Sequence, residues 1–330
     1  MELSFRALVT EETESGEFIR SIKTKHKEDL PAGEVIVKVQ YSSLNYKDAL
    51  SASGHKGITR KFPHTPGIDA AGVVVESATD LFSEGDEVIV TGHDLGMNTD
   101  GGFAEYIRVP AYWVVRKPDT ISIRKAMIYG TAGFTAATGI SEIQKCGITP
   151  DMGPVLVTGA TGGVGTMAVA ILNKLGYHVI ASTGKESSHD FLKKLGAKEI
   201  IHRSEVNDQS GKGLLPKRWI AAIDNVGGNT LSTILRATSD RGVVTNCGMV
   251  ESTKLDTFVF PFILRGVRLI GIASAETPLQ QRLMLWDKIS TEYLLDNTDF
   301  FVKEVSLDQV STEIDIILSG GQTGRVLVKM

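Results

Sequence analysis

VLVTGATGGVGTMAVAILNKLG, Val155 to Gly176, is the stretch from which the fold is read. Val155, Leu156 and Val157 form a short apolar run, as expected of a strand buried on both faces of a parallel sheet. Met167, Ala168, Ile171, Leu172 and Leu175 then recur at three- and four-residue spacing, the apolar stripe of an amphipathic helix, and Gly176 supplies a left-handed C-cap. Between strand and helix stand Gly159, Gly162, Gly163 and Gly165. They let the backbone approach a pyrophosphate while the helix N-terminus aims its free N–H groups at the charge. Ala160 takes the first glycine position of the usual G-x-G-x-x-G, so the match is to G-x-x-G-x-x-G. A tight strand-to-helix turn without ligand would carry the same glycines; the correct flanks on both sides favour a dinucleotide.

Outward from this unit the pattern differs on the two sides. Downstream, strands are expected at 178–182, 199–202, 219–224, 242–246 and 268–272, with helices at 165–175, 188–195 and 230–238 and a further element near 258–264. Strands alternating with crossover helices imply an α/β, doubly wound parallel sheet of the Rossmann kind. Upstream, to about residue 120, short strands are expected at 6–9, 34–41, 71–75, 87–90, 103–109 and 113–116, separated by Gly, Pro, Ser and Asp turns. This half reads as an all-β, barrel-like domain. SSLNYKDAL, Ser42 to Leu50, interrupts it with a loop leading into a helical turn. Ala126 to Lys145 reads as a helix broken near Gly130 to Gly133. Helices are also expected at 280–297 and 306–319, with a last strand at 325–329.

Composition narrows the function. The 330 residues suit two domains, and 42% apolar with 22% charged residues is ordinary for a globular chain. A formal net charge of −4 offers no basic field for nucleic acid. No apolar run approaches a membrane span and the N-terminus lacks a basic segment followed by an apolar core, so neither a membrane role nor export is expected, and the location is read as cytoplasmic. Cys146 and Cys247 alone build neither a disulfide framework nor a thiolate zinc cluster. None of the seven histidines forms an i,i+4 pair or adjoins a cysteine.

The second Rossmann strand decides the cofactor. An NAD site places Asp or Glu at that strand's end to take the adenosine ribose hydroxyls. Here the chain runs Ala181-Ser182-Thr183-Gly184-Lys185, and Glu186 comes only later. Thr183 and Lys185 suit the additional 2′-phosphate of NADP, and Arg203, just past the third strand, is placed to close on the same phosphate. Solvated surface charge is the alternative for both cations.

SSLNYKD, PGIDAAGVV, GTAGFTA and VTGATGGVG, in this order along essentially the whole chain, resemble the medium-chain dehydrogenase/reductase superfamily. The resemblance implies a GroES-like barrel, 1–124, completed by 297–330, and an NADP-binding Rossmann domain, 125–296, with the active site in the cleft between them. Zinc alcohol dehydrogenases of that superfamily carry a cysteine ligand where this chain has Asn45, and Gly-His-Glu where it has Gly67-Ile68-Asp69. The ligand set is therefore absent and no metal is expected. SLNYKDAL, PGIDAAG, KAMIYGTAGFTA, NCG, PFILRGVRL and GRVLVK are more narrowly similar to the quinone oxidoreductase branch and its YhdH/YhfP group, described as NADPH-dependent acryloyl-CoA reductases or as quinone oxidoreductases. That group implies a homodimer paired through the last Rossmann strand, near 268–272. Carried over by position, the cofactor contacts are Tyr46, Thr161, Gly162, Gly163, Val164, Thr183, Gly184, Lys185, Arg203, Met249, Ile263 and Ser274. Lys185 stands where relatives commonly have arginine, which keeps the charge and loses the bidentate fork.

Without a Lewis acid, delivery of hydride to the β-carbon of an electron-poor alkene is the natural reaction, with an acryloyl-CoA-like enoyl thioester as the expected small-molecule substrate. The developing enolate needs hydrogen-bond donors, and Asn45 and Tyr46 are the candidates. Tyr46 reads equally as a residue that packs on the cofactor, and Lys47 with Asp48 as a solvated pair. An NADPH:quinone reductase and a non-catalytic NADPH-binding redox sensor are the alternatives.

Overall fold

The computed structural model describes residues 3–330. In chain order the elements are β1 (Ser4–Glu12), β2 (Phe18–His26), β3 (Val35–Leu44), α1 (Tyr46–Ser51), β4 (Asp69–Ser77), β5 (Glu87–Thr91), β6 (Tyr106–Val109), β7 (Val114–Arg116) and α2 (Ile123–Lys145). Next come β8 (Val155–Val157), α3 (Gly163–Lys174), β9 (Val179–Thr183), α4 (His189–Leu195), β10 (Glu199–His202), β11 (Trp219–Asp224), α5 (Gly228–Ala237), β12 (Thr238–Asn246), α6 (Phe260–Arg265) and β13 (Arg268–Gly271). The chain ends with α7 (Leu279–Ser290), β14 (Val302–Ser306), α8 (Val310–Leu318) and β15 (Arg325–Lys329).

Contacts divide these elements into two compact units. The first holds the chain from the described N-terminus through Thr131, then Ala275–Ser290 and Asn297–Met330; the second holds Ala132–Ser274 and Thr291–Asp296. The first unit thus continues past residue 124, because the opening turns of α2 are tied to side chains of β3, β4 and β15 described below.

Its main sheet runs β14-β15-β3-β4-β5-β7, with β6 also paired to β3, while β1 and β2 form a separate antiparallel pair. Val35, Val37 and Val39 of β3 pack with Val74, Val88, Val90 and Val109 in the barrel core. Lys38 and Gln40 point to solvent between them, the alternation of a strand with one wet face. β15 lies antiparallel to β3, with Val326 opposite Leu44, and so brings Arg325 beside the β3 end that leads into α1.

The second unit is the expected doubly wound sheet: six parallel strands in the order β10-β9-β8-β11-β12-β13. Leu156, Ile180, Ala222 and Val244 form its centre, covered by Leu231, Ile234 and Leu235 of α5. The order reverses at β8, and among the described residues β13 has a single neighbour, β12. Among the described residues no helix is long and apolar enough to cross a membrane.

Candidate active site

The second unit holds the glycine turn expected to receive the pyrophosphate. Gly159 adopts φ +54°, which turns the chain sharply out of β8. Gly162 caps α3 from an extended conformation, and the first ladder bond of the helix is Thr166 N–H to the Gly162 carbonyl, 2.8 Å. The N–H groups of Gly163, Val164 and Gly165 precede that bond, which leaves the helix terminus open to an anion, with Thr161 beside it. Gly165 is required by packing: a Cβ there would stand 2.2 Å from the Gly159 carbonyl oxygen. The third glycine of the pattern therefore lets helix and turn touch.

Thr183 closes β9 opposite His202 of β10, so Gly184 and Arg203 leave the sheet side by side. The Arg203 side chain lies over Gly184, where a Cβ would meet its Nε at 2.7 Å. The Thr183 hydroxyl accepts the Lys185 N–H at 3.1 Å, and partial burial lowers the Lys185 ammonium from its ordinary value. Two cations and a hydroxyl meet at neighbouring strand ends with no carboxylate at the end of β9, a donor set that fits the 2′-phosphate of NADP. Ser274 accepts a hydrogen bond from Thr135 Oγ1 at 2.8 Å. Met249 and Ile263 are exposed, on the loop after β12 and on α6. Cys247 donates to Asn225 Oδ1 at 3.0 Å, and burial pushes its thiol up to about 12, so it supplies no thiolate near neutral pH.

The first unit contains a buried network built around the Asn45 loop. Asn45 is the N-cap of α1, and its backbone N–H donates to Asp48 Oδ2 at 2.8 Å, the return half of a capping box. Asp48 Oδ1 accepts the Ile68 N–H at 2.7 Å. Asp48 is completely buried and not one of a solvated pair, because both its oxygens are needed inside the fold. Burial, reinforced by the nearby Asp69 carboxylate, pushes its pKa up to about 7.

Asp69, at the start of β4, is also buried. It accepts from Ser43 Oγ, from Asn45 Nδ2 at 2.8 Å, from Thr131 Oγ1 at 2.6 Å and from the Thr131 N–H at 3.0 Å. Gly130 makes the last contacts possible. With φ +47° and ψ −153° it breaks α2, and a Cβ there would fall 2.5 Å from both Asp69 Oδ2 and Ser43 Oγ. The break turns the Thr131 N–H toward the carboxylate. On its other side the Ile128 carbonyl accepts Arg325 Nε at 2.9 Å. Arg325, itself buried, also donates to Ser43 Oγ at 2.8 Å and to the Leu44 carbonyl at 3.3 Å. A buried cation thus faces two buried carboxyl groups, with the kinked helix supplying donors to one charge and acceptors to the other.

The same geometry tests whether zinc fits. Of the three ligand positions, Asn45 presents an amide whose nitrogen faces Asp69 and the Ser43 carbonyl, at 2.8 and 3.2 Å. Ile68 has no donor atom, and Asp69 is saturated by Ser43, Asn45 and Thr131 with the Arg325 guanidinium alongside. These residues do not fit a zinc ion. Tyr46, the first residue of α1, is 47% exposed. Asp48, Ser43, Thr131 and Arg325 were not among the expected site residues. The sequence signals for them were a glycine inside a helical pattern and an arginine opening the apolar strand RVLVK.

A GroES-like barrel joined in one chain to a Rossmann sheet with this glycine turn defines an oxidoreductase of the medium-chain class. Residues 31–119 match the alcohol dehydrogenase GroES-like domain and residues 163–287 the zinc-binding dehydrogenase domain. The chain is 44% identical to YhfP of Bacillus subtilis over the full length of both and 40% identical to the acrylyl-CoA reductase AcuI of Ruegeria pomeroyi over 98% of both. The crystal structure of YhfP with NAD bound superposes with a TM-score of 0.96 at 43% identity, covering 99% of this chain and 100% of that one. That of the yhdH oxidoreductase from Salmonella enterica in complex with NADP gives 0.95 at 42% identity, covering 98% and 99%. The chain belongs to the medium-chain dehydrogenase/reductase family, in its quinone oxidoreductase branch.

Proposed function

We propose that the protein is a zinc-independent, NADPH-dependent reductase of activated alkenes, acting on an enoyl thioester of the acryloyl-CoA type. The observation that carries this reading is the buried Asn45–Asp48–Asp69–Arg325 network, in which the ligand positions Asn45 and Asp69 are held by hydrogen bonds to each other and to Ser43 and Thr131. Support for the substrate comes from the 40% identity to the AcuI acrylyl-CoA reductase. Support for NADP comes from Lys185, Arg203 and Thr183, and from the yhdH complex. YhfP with NAD bound shows that the fold also admits the other dinucleotide, so the preference here rests on this chain's own strand ends.

Bound NADPH would supply hydride from its nicotinamide. In this reading Thr161, Gly162, Gly163, Val164, Thr183, Gly184, Lys185 and Arg203 bind the phosphates and adenosine, and Met249, Ile263 and Ser274 border the rest. Hydride added at the β-carbon would move the alkene electrons to the thioester oxygen, and as the enolate carbonyl re-forms the α-carbon would take a proton from water. Tyr46 donates a hydrogen bond where the oxygen charge develops. Asn45, with its amide turned inward, holds the start of α1 and hence the Tyr46 backbone.

The test is steady-state oxidation of NADPH with acryloyl-CoA and with 1,4-benzoquinone, in the wild-type chain and in Lys185→Ala. Acryloyl-CoA is expected to be the better substrate, and Lys185→Ala to raise KM for NADPH about tenfold while leaving KM for NADH within about twofold. Turnover of quinone alone overturns the thioester assignment in favour of a quinone reductase. Equal losses with both dinucleotides overturn the 2′-phosphate assignment. The active form is proposed to be a homodimer joined edge to edge through β13, supported by its open edge and by exposed Val259, Ile263 and Leu264 beside it. Light scattering of the purified chain is expected to give the mass of two copies, and the mass of one copy at micromolar concentration overturns it.

A further inference from the structure

In the second unit a single carboxylate gathers three turns. Asp224 ends β11, between β8 and β12 in the sheet. Its Oδ1 accepts Thr158 Oγ1 at 2.6 Å and the Val226 N–H at 3.2 Å; its Oδ2 accepts the Gly227 N–H and Asn246 Nδ2, each at 2.8 Å. Thr158 Oγ1 in turn accepts the Asn225 N–H at 3.0 Å. Thr158 is the residue before Gly159, Gly227 is the N-cap of α5, and Asn246 ends β12 just before the loop that carries Met249. The side chain is completely buried, and no cation pairs with it among the described residues. Burial raises its pKa, and the four donors oppose the rise. A buried carboxylate without a counter-ion is a poor stabiliser, and an apolar residue of similar volume would serve packing better. What Asp224 does hold is the carboxyl end of three adjacent strands, the edge on which a doubly wound sheet binds its ligand.

We propose that Asp224 is a positioning residue for the dinucleotide: it sets the glycine turn against the β12 loop so that the pyrophosphate and nicotinamide halves are received together. This rests on the NADPH reading given above. Adenosine and its 2′-phosphate are assigned to the ends of β9 and β10, where Asp224 makes no contact, so the two halves of the ligand respond differently to its loss.

In Asp224→Asn an amide NH₂ replaces one oxygen and faces two donors. The dissociation constant for NADPH is expected to rise about tenfold, while that for adenosine 2′-monophosphate stays within about twofold. Both are measured by calorimetry alongside the unfolding midpoint. Equal-fold losses for the two probes indicate general loosening and overturn the proposal, as does unchanged NADPH affinity. A wild-type chain that binds neither probe removes the cofactor reading and the proposal with it. If Asp224→Asn does not fold, Thr158→Val removes one of the donors isosterically, and the same split is expected at about threefold.

Discussion

Replacing Arg325 with methionine is expected to destabilise the first unit by about 3–5 kcal/mol, the cost of taking a hydrogen-bonded cation out of a buried charged network. Methionine matches much of the volume and none of the hydrogen bonding. The Ile128 and Leu44 carbonyls lose a donor, Ser43 Oγ loses the group that orients it, and Asp69 and Asp48 lose the attraction of the Arg325 cation. Ser43, Asn45 and Thr131 still donate to Asp69 and Arg282 still attracts it from further off, but its buried charge is less well compensated. Arg325→Lys keeps the charge without the fork and is expected to recover a minority of the loss, since one ammonium cannot serve Ile128 and Ser43 together. In the double variant Arg325→Met with Asp69→Asn the two costs are expected to fall short of their sum by about 1–3 kcal/mol. Urea unfolding of wild type, Arg325→Met, Arg325→Lys, Asp69→Asn and the double variant reads all of this. A single Arg325→Met variant within about 1 kcal/mol of wild type would sink the account of the network as an ion-balanced unit.

How far the sequence announces such a network depends on the distance over which its parts act. The parallel sheet is legible because each of its strands is a local event. Val155–Val157, Glu199–His202 and Trp219–Asp224 lie at or within a residue of the expected spans, as does the last strand Arg325–Lys329. Each is an apolar run stopped by glycine, aspartate or a charged turn. Strands whose partners matter more than their composition are not legible. FIRSIKTKH of β2 carries charge on both faces, and its register comes wholly from β1, with Leu8 opposite Ile22. VKEVS of β14 takes its register from β15, its one partner among the described residues. The helix expected to run to residue 297 ends at Ser290, where the chain passes from the first unit to the second. The candidate site divides in the same way. Its glycine turn and the Thr183–Lys185 strand end are contiguous in sequence and so are legible as local patterns, whereas Asp48 sits beside Lys47 and resembles a surface pair. Nothing nearby in sequence says that α1 will be covered by α8, or that Arg325 will reach Ser43 from 282 positions away. A glycine that breaks a helix of otherwise regular spacing was the one local trace of that long-range electrostatic demand.

The pH dependence of stability gives the second large effect, because Asp48 binds its proton far more tightly in the fold than in the unfolded chain. With its pKa moved from the ordinary 3.8 to about 7, the folded protein carries a proton on Asp48 through the weakly acidic range in which the unfolded chain has lost it. Stability contributed by this group is therefore complete below the unfolded value and declines as pH rises toward the folded one, by about 1.4 kcal/mol per pH unit. From pH 5 to pH 8 the decline from Asp48 alone is expected to be about 3 kcal/mol. Asp48→Asn removes the titration. The variant retains one acceptor oxygen for the Ile68 or Asn45 N–H and turns an NH₂ toward the other, so it starts about 1–3 kcal/mol below wild type at pH 5. At pH 8 wild type holds an ionised carboxylate beside Asp69 while the variant holds none, and the gap is expected to close or reverse. Urea unfolding of both proteins at the two pH values measures the change in that gap, to which titrations common to both chains do not contribute. A gap that stays constant between pH 5 and pH 8 would show that Asp48 is ionised throughout, and that Arg325 and the backbone donors offset its burial completely. The same measurement bears on catalysis: if Asp48 titrates near neutrality, the capping bond from the Asn45 N–H changes strength across the working range. The position of Tyr46 one residue further on then changes with it, and on the role proposed for Tyr46 kcat is expected to follow the same midpoint.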